Sequence, residues 1–261
     1  MIIAFTGLKQ SGKTFLVNNL AEVLSSKGEK VAIIDISKSR DLYHFYFSNI
    51  DKNSNGALTL QEQDSISYAN IDIYTSKEFD ITQEYFKRLP KNILQMKEKY
   101  KVILLDIDLD YIENIRLEHY CNFVNLVLTQ CYLNNEDKEK MLKMIGLEKI
   151  NIILNKFLET RFNVDRVFNQ FQLPEVFKQK IVNNVRVIDY EQVNEEIYQN
   201  NFFKNKGTKK YTEDLKDILD EFILELGIDS APIKNKRNIF PWKFFKRGGI
   251  DSNGHAVYKE G

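Results

Sequence analysis

Residues 7–14 read GLKQSGKT and follow directly on the short apolar run MIIAFT. The spacing G-x-x-x-x-G-K-[ST] is that of a loop whose backbone N–H groups, with the N-terminus of the helix after it, cradle an anion. The chemistry such residues can do is nucleotide phosphate binding. Gly7, Lys9, Gln10, Ser11, Gly12, Lys13, Thr14 and Phe15 form the expected cradle. Lys13 would reach the terminal phosphates and the Thr14 hydroxyl would hold Mg²⁺. Chance matches occur in any loop rich in Gly, Ser and Lys, so the flanks decide. IIAF reads as a buried strand, and KTFLVNNLAEVLSSKG reads as an amphipathic helix ending at Gly28.

A Mg²⁺–nucleotide site also needs carboxylates that orient the metal's water shell. Two apolar runs end in one: KVAIID at Asp35 and KVILLD at Asp106. Thr14, Asp35 and Asp106 are therefore the expected metal set, with Asp106 the better match to a Walker B position. Downstream of it the chain reads DIDLD, placing Asp108 and Asp110 beside Asp106. A second metal pattern, D-x-[DN]-x-[DN]-G-x₅-E, occurs in DKNSNGALTLQE, residues 51–62. Asp51, Asn53, Asn55 and Glu62 occupy Ca²⁺-ligand positions and Gly56 the sharp turn. The same residues make an ordinary Asn/Asp/Gly surface turn. The loop has no second partner loop, and two carboxylates at its main positions imply weak Ca²⁺ affinity. Cys121 and Cys131 have no zinc spacing and read as reduced structural thiols. His44, His119 and His255 are isolated in sequence.

The elements that must position these residues alternate. KVAIID (30–35), ANIDIYT (69–75), KVILLD (101–106), FVNLVLTQ (123–130), KINIILN (149–155) and NNVRVID (183–189) read as strands. Helical patterns lie between them at 80–100 and 134–146, and a last helix at 211–227 closes the unit. Strand–helix alternation specifies an α/β fold of three layers: a mostly parallel central sheet with helices on both faces, in the manner of P-loop NTPases. Ligands of such sheets lie at the carboxyl ends of the strands. The expected division is a nucleotide-binding domain over 1–228, then a linker and basic-aromatic tail over 229–261. Lys and Arg number 37 against 37 Asp and Glu, so the chain lacks the overall basic charge of a strong nucleic-acid binder. No apolar run approaches the ~18 residues of a membrane span. The first strand begins at once, which argues against a signal peptide and for a cytoplasmic protein.

In this order of parts the chain resembles the MinD/ParA family of deviant Walker A ATPases over roughly residues 1–227. The resemblance rests on the N-terminal loop, the Asp-ended second strand, YKVILLD and the later strand ending in Asn155-Lys156. It implies ATP and Mg²⁺, a contact of Asn155 with adenine, and a nucleotide-dependent homodimer. Phe157 and Leu158 follow where a GTPase would carry N-K-x-D, which favours ATP. Three departures bear on hydrolysis. Leu8 stands where the family has a lysine that reaches a partner's nucleotide, with Lys9 one place later. Ser37 stands where the family's D-x-D has its second, water-positioning Asp, and a hydroxyl has no basicity near neutral pH. DIDLD replaces the small and proline residues that follow the family's Walker B Asp. The catalytic set implied is Lys13, Asp35 and Asp41, with Asp41 in reach of metal-bound water. Hydrolysis is expected to be slow or partner-dependent.

The tail segment IFPWKFFKR (239–247) resembles membrane-targeting ends of MinD-like proteins, with Trp242, Phe244, Phe245, Lys246 and Arg247 facing a membrane surface or a partner protein. The expected function is an ATP-binding protein whose dimerisation localises a membrane-associated machine, within a branch similar to TadZ/CpaE positioning proteins. The alternative is a partition ATPase for plasmid or chromosome that binds DNA nonspecifically through its local basic run. A small-molecule ligase or kinase on the same fold would need a substrate constellation that the sequence does not offer.

Overall fold

The computed structural model describes residues 1–42, 65–68, 70–75, 83–145, 150–158, 163–173, 178, 185–191 and 211–228. The strands are β1 (Ile2–Gly7), β2 (Val31–Ile36), β3 (Ser65–Tyr68), β4 (Ile71–Tyr74), β5 (Val102–Asp108), β6 (Phe123–Leu128), β7 (Ile150–Phe157) and β8 (Val185–Asp189). The helices are α1 (Lys13–Ser26), α2 (Gln83–Met96), α3 (Leu117–Tyr120), α4 (Asn135–Ile145), α5 (Val164–Asn169) and α6 (Glu213–Glu225). A 3₁₀ turn, Leu109–Asn114, follows β5 directly.

All strands join one eight-stranded sheet in the order β3-β4-β2-β5-β1-β6-β7-β8. Every pairing is parallel except β3 with β4, an antiparallel edge pair. The expected mostly parallel α/β sheet is what forms. β3 escaped the sequence pattern: SISY is four residues long and only half apolar, too short for a periodicity signal.

Side chains alternate faces along each strand, and both faces are covered, which is why the strands read as near-continuous apolar runs. On β1, Ile2 and Ala4 join the core beneath α2 and α4, while Ile3 and Phe5 join the core beneath α1 and α6. On β5, Ile103, Leu105 and Ile107 take the first face, and Val102 and Leu104 the second. The α1/α6 layer is tightly built: Leu16, Leu20, Leu24, Phe222 and Ile223 are at most 1% exposed. Phe5 and Phe222 meet edge to face at 5.6 Å. Each such side chain stabilises the fold by about 1.5–3 kcal/mol, enough to hold the α1 N-terminus fixed over the sheet.

β1 is central, and the chain leaves it toward β2 on one side and returns to β6 on the other. That reversal creates a crevice beyond its carboxyl end, the usual ligand position in open α/β sheets. Among the described residues no helix is long and apolar enough to cross a membrane.

Candidate nucleotide site

The loop between β1 and α1 lies in that crevice. Its first turn is closed by Ser11 N–H donating to the Leu8 carbonyl at 3.2 Å. Gln10 takes a left-handed conformation, and so does Gly12, at φ 88°. A Cβ on Gly12 would lie 2.1 Å from Asn155 Nδ2, so conformation and space both exclude a larger residue there. At Gly7 a Cβ would meet the Val127 carbonyl oxygen at 2.2 Å, so the loop sits against β6 only because that residue has no side chain.

α1 begins with Gly12 as its cap, which supplies no side-chain acceptor, and no acidic residue occupies the first turn. The free N–H groups and positive end of the helix are left for an external anion. The Ser11 hydroxyl, buried in the loop, likewise has no partner among the described residues.

Three aspartates line the opposite wall. Residues 31, 33, 35 and 37 share the α1 face of the sheet by strand alternation, as do 102, 104, 106 and 108 on β5. Asp35 and Asp106 are register partners. Asp106 is fully buried and accepts from Thr14 Oγ1 at 2.5 Å through Oδ2, while its Oδ1 has no partner. Burial pushes its pKa up to about 7, against the opposing pull of Lys13. Asp35 accepts from Ser37 N–H at 3.0 Å, Ser37 Oγ at 2.6 Å and Thr75 Oγ1 at 3.0 Å. Burial raises its pKa to about 6, with those donors opposing. Lys13 is 4% exposed and its Nζ lies 2.8 Å from Asp108 Oδ1. Burial alone would lower its pKa, but the Asp106, Asp108 and Asp35 carboxylates hold it above the ordinary lysine value.

A cavity of about 400 Å³ opens between this loop and the ends of β7 and β8. Gln10, Gly12, Lys13, Thr14, Phe15 and Asp41 line it from the loop side of the chain, with Asn155 and Lys156 of β7 and Asp189, Tyr190 and Glu191 at the end of β8. Of the expected phosphate cradle, Gln10, Gly12, Lys13, Thr14 and Phe15 line this cavity together with Asp41, whereas Gly7 and Ser11 do not. Lys9 is exposed and does not line the cavity. Leu8 packs against the α2-side core, so an apolar residue suits that position. Asn155 is 3% exposed and donates to the Ser11 carbonyl at 2.9 Å, bracing the phosphate loop. Ser37 is a turn residue here: its hydroxyl donates to Asp35 and accepts from Arg40 N–H at 3.1 Å. The Ca²⁺ pattern at 51–62 and the tail at 229–261 lie outside the described residues.

Mg²⁺ fits this donor set. The buried, orphaned Asp106 Oδ1 beside the Thr14 hydroxyl offers hard oxygen ligands next to the phosphate loop. Among the described residues no cluster of three or more His, Cys, Asp or Glu forms a protein cage. Lys156, Asp189, Tyr190, Glu191 and Asp108 were not singled out as site residues in the sequence. The signal for the last was available, since Asp106 and Asp108 stand two apart on a strand and must share a face.

No protein-family model matches the sequence, and a search of curated proteins finds no match. Solved structures do match in fold. The ATP complex of a substituted McdA from Cyanothece superposes with TM-score 0.64 at 15% identity, covering 89% of this chain and 98% of that one. The plasmid partition protein BB_S35 of Borrelia burgdorferi B31, bound to AMPPNP, gives 0.59 at 18% identity over 87% and 97%. The septum site-determining protein MinD of Pyrococcus horikoshii OT3, complexed with Mg-ADP, gives 0.54 at 19% identity over 85% and 96%. The fold is that of ParA/MinD-like P-loop proteins.

Proposed function

We propose that this protein is a Mg²⁺-dependent ATP-binding protein of the MinD/ParA kind, acting as a positioning ATPase with slow or partner-dependent hydrolysis. The observation that carries the reading is the uncapped α1 N-terminus. It faces a cavity lined by the buried Lys13 and the Thr14 hydroxyl, and behind Thr14 lies the buried Asp106 carboxylate with one unpartnered oxygen. Lys13 and the loop N–H groups bind the phosphates. Thr14 and Asp106 would hold Mg²⁺, which when bound neutralises charge on the phosphates. Lys156, Tyr190 and Glu191 also line the cavity and would meet the rest of the nucleotide. The fold shared with proteins bound to ATP, AMPPNP and Mg-ADP supports the same ligand class.

In this reading the nucleotide state controls a homodimer, and the dimer localises a larger membrane-associated machine through Trp242, Phe244, Phe245, Lys246 and Arg247. A partition role on DNA is the second reading, favoured by the match over 97% of the Borrelia plasmid partition protein. ATP binding and turnover with Mg²⁺, with oligomeric state measured in the same samples, test the core of the proposal. The wild type is expected to bind and Lys13→Ala to fail. Equal binding by the two proteins would sink it. Co-sedimentation with anionic vesicles that is lost in Trp242→Ala supports the membrane reading, whereas duplex binding that weakens steeply with salt supports partition.

A further inference from the structure

We propose that Asp108 positions the water that attacks the terminal phosphate, supplying from β5 the carboxylate that β2 lacks at position 37. The assignment rests on the reading of the site as an ATP site. Position 37 is the first α1-face position after Asp35, and 108 is the first after Asp106; the two aspartates are paired in register. The turn after β2 and the end of β5 are therefore adjacent, and Asp108 Oδ2 accepts from Lys38 N–H at 2.6 Å. The carboxylate is thus anchored one residue beyond Ser37. Its other oxygen, Oδ1, lies 2.8 Å from Lys13 Nζ, the group that marks the terminal phosphates.

The other two strand-end aspartates have different work, and Asp41, which lines the cavity, is the competing candidate that an Asp41→Asn variant tests beside Asp108→Asn. Asp106 faces Thr14, and Asp35 is engaged by Ser37 and Thr75. Both are nearly inaccessible, at 0% and 3%, whereas the Asp108 side chain is 15% exposed and can meet water. Lys13 has three N–H donors and can turn toward a phosphate while its partner carboxylate stays fixed by the Lys38 backbone. Asp108 Oδ1 then becomes available to a water at the terminal phosphate, with no rearrangement of the sheet.

In the reaction, the water oxygen forms a bond to the γ-phosphorus as the bond from that phosphorus to the β–γ bridging oxygen breaks. The bridging oxygen leaves with ADP. Asp108 accepts a hydrogen bond from the water and holds it in line, and the water's proton ends on the released phosphate. Nothing is oxidised or reduced.

The test compares wild type, Asp108→Asn, Asp41→Asn and Asp110→Asn for AMPPNP affinity and for ATP turnover. Asp110 lies two residues on and pairs with Lys140 at 2.7 Å and with the Lys38 side chain at 2.5 Å, whereas Asp108 is held by the Lys38 backbone N–H. Asp108→Asn is expected to keep AMPPNP affinity at or above the wild-type level, because the competing ion pair to Lys13 is gone. Its kcat is expected to fall on the order of 10²-fold or more with little change in KM, and Asp110→Asn is expected to keep both. Retained AMPPNP binding certifies the fold. Turnover by Asp108→Asn within about 3-fold of wild type overturns the assignment, and so does an equal loss of AMPPNP affinity and kcat. A wild type that binds AMPPNP yet shows no turnover above Lys13→Ala overturns it while leaving the ATP site intact. A wild type that binds no AMPPNP removes the ATP site itself.

Discussion

β2 and β5 lie side by side and each runs from apolar residues into an aspartate, yet the two carboxylates live in opposite surroundings. Asp35 receives three hydrogen bonds from the chain itself, from Ser37 twice and Thr75 once. Asp106 receives one, from Thr14, and keeps a buried oxygen without a partner. A buried polar group left unpaired costs free energy, and a charged one costs more. Such a cost persists where a ligand removes it. An Asp at a strand end can thus serve in two ways: Asp35 is held by donors of the β2 turn and by Thr75, while Asp106 keeps one buried oxygen unpartnered, as the proposed cation site requires.

The largest expected effect breaks the comparison on the Asp35 side. Asp35→Ala strands the Ser37 N–H, the Ser37 hydroxyl and the Thr75 hydroxyl in a buried place. At about 1–3 kcal/mol for each group that finds no water, a loss near 3–5 kcal/mol is expected in denaturant unfolding. If Asp35→Ala instead unfolded like wild type, the three bonds would not be holding the turn.

Asp106→Ala should behave in the reverse manner. The Thr14 hydroxyl loses a partner but can rotate toward other acceptors, and Lys13 loses one of the carboxylates that offset its burial but keeps Asp108, while a desolvated carboxylate disappears. Stability without ligand is expected within about 1 kcal/mol of wild type. Mg²⁺-dependent nucleotide affinity is expected to fall about 10–100-fold, as when a metal's supporting shell is removed. Titration of Mg²⁺ with and without nucleotide measures this, and affinity equal to wild type would move the cation away from Asp106.

A third, smaller effect concerns how the loop is braced. Asn155→Ala removes the bond to the Ser11 carbonyl and should cost about 1 kcal/mol. It also removes the atom that a Cβ on Gly12 would strike. The two positions should therefore couple, by about 0.5–3 kcal/mol in a double-variant cycle. Gly12→Ala with Asn155→Ala should bind nucleotide better than Gly12→Ala alone. Strict additivity would mean that strain at φ 88°, and not Asn155, governs the position.

What the sequence made legible follows from how local each signal is. The phosphate loop, β1 and α1 are contiguous, so motif and periodicity identify them together. The Asp-ended strands were readable for the same reason, and both end where the loop needs carboxylates. Less was visible where contacts join distant residues. Thr75 lies 40 residues from Asp35 and Lys13 lies far from Asp108, and no spacing rule predicts either pair. Resemblance assigns Asn155 to a contact with adenine. Its position against Ser11 depends on β7 lying two places from β1 in the sheet. Ser37 read as a missing base; only the folded turn shows the same hydroxyl engaged on Asp35 and on Arg40 N–H.

The finest test of the comparison is Thr75→Val, which keeps the shape of the side chain and deletes one donor to Asp35. Thr75 is 4% exposed, so water cannot readily replace the lost hydroxyl. The expected cost is one ordinary hydrogen bond, about 0.5–1.5 kcal/mol, seen as a shift of the unfolding midpoint without change of slope. Because the bond lies on the side of Asp35 that braces the end of β4, nucleotide affinity should remain at the wild-type value. A fall in affinity with unchanged stability would reverse the assignment. It would mean that the Thr75 hydroxyl orients Asp35 toward the cation, and that both strand-end aspartates serve the ligand.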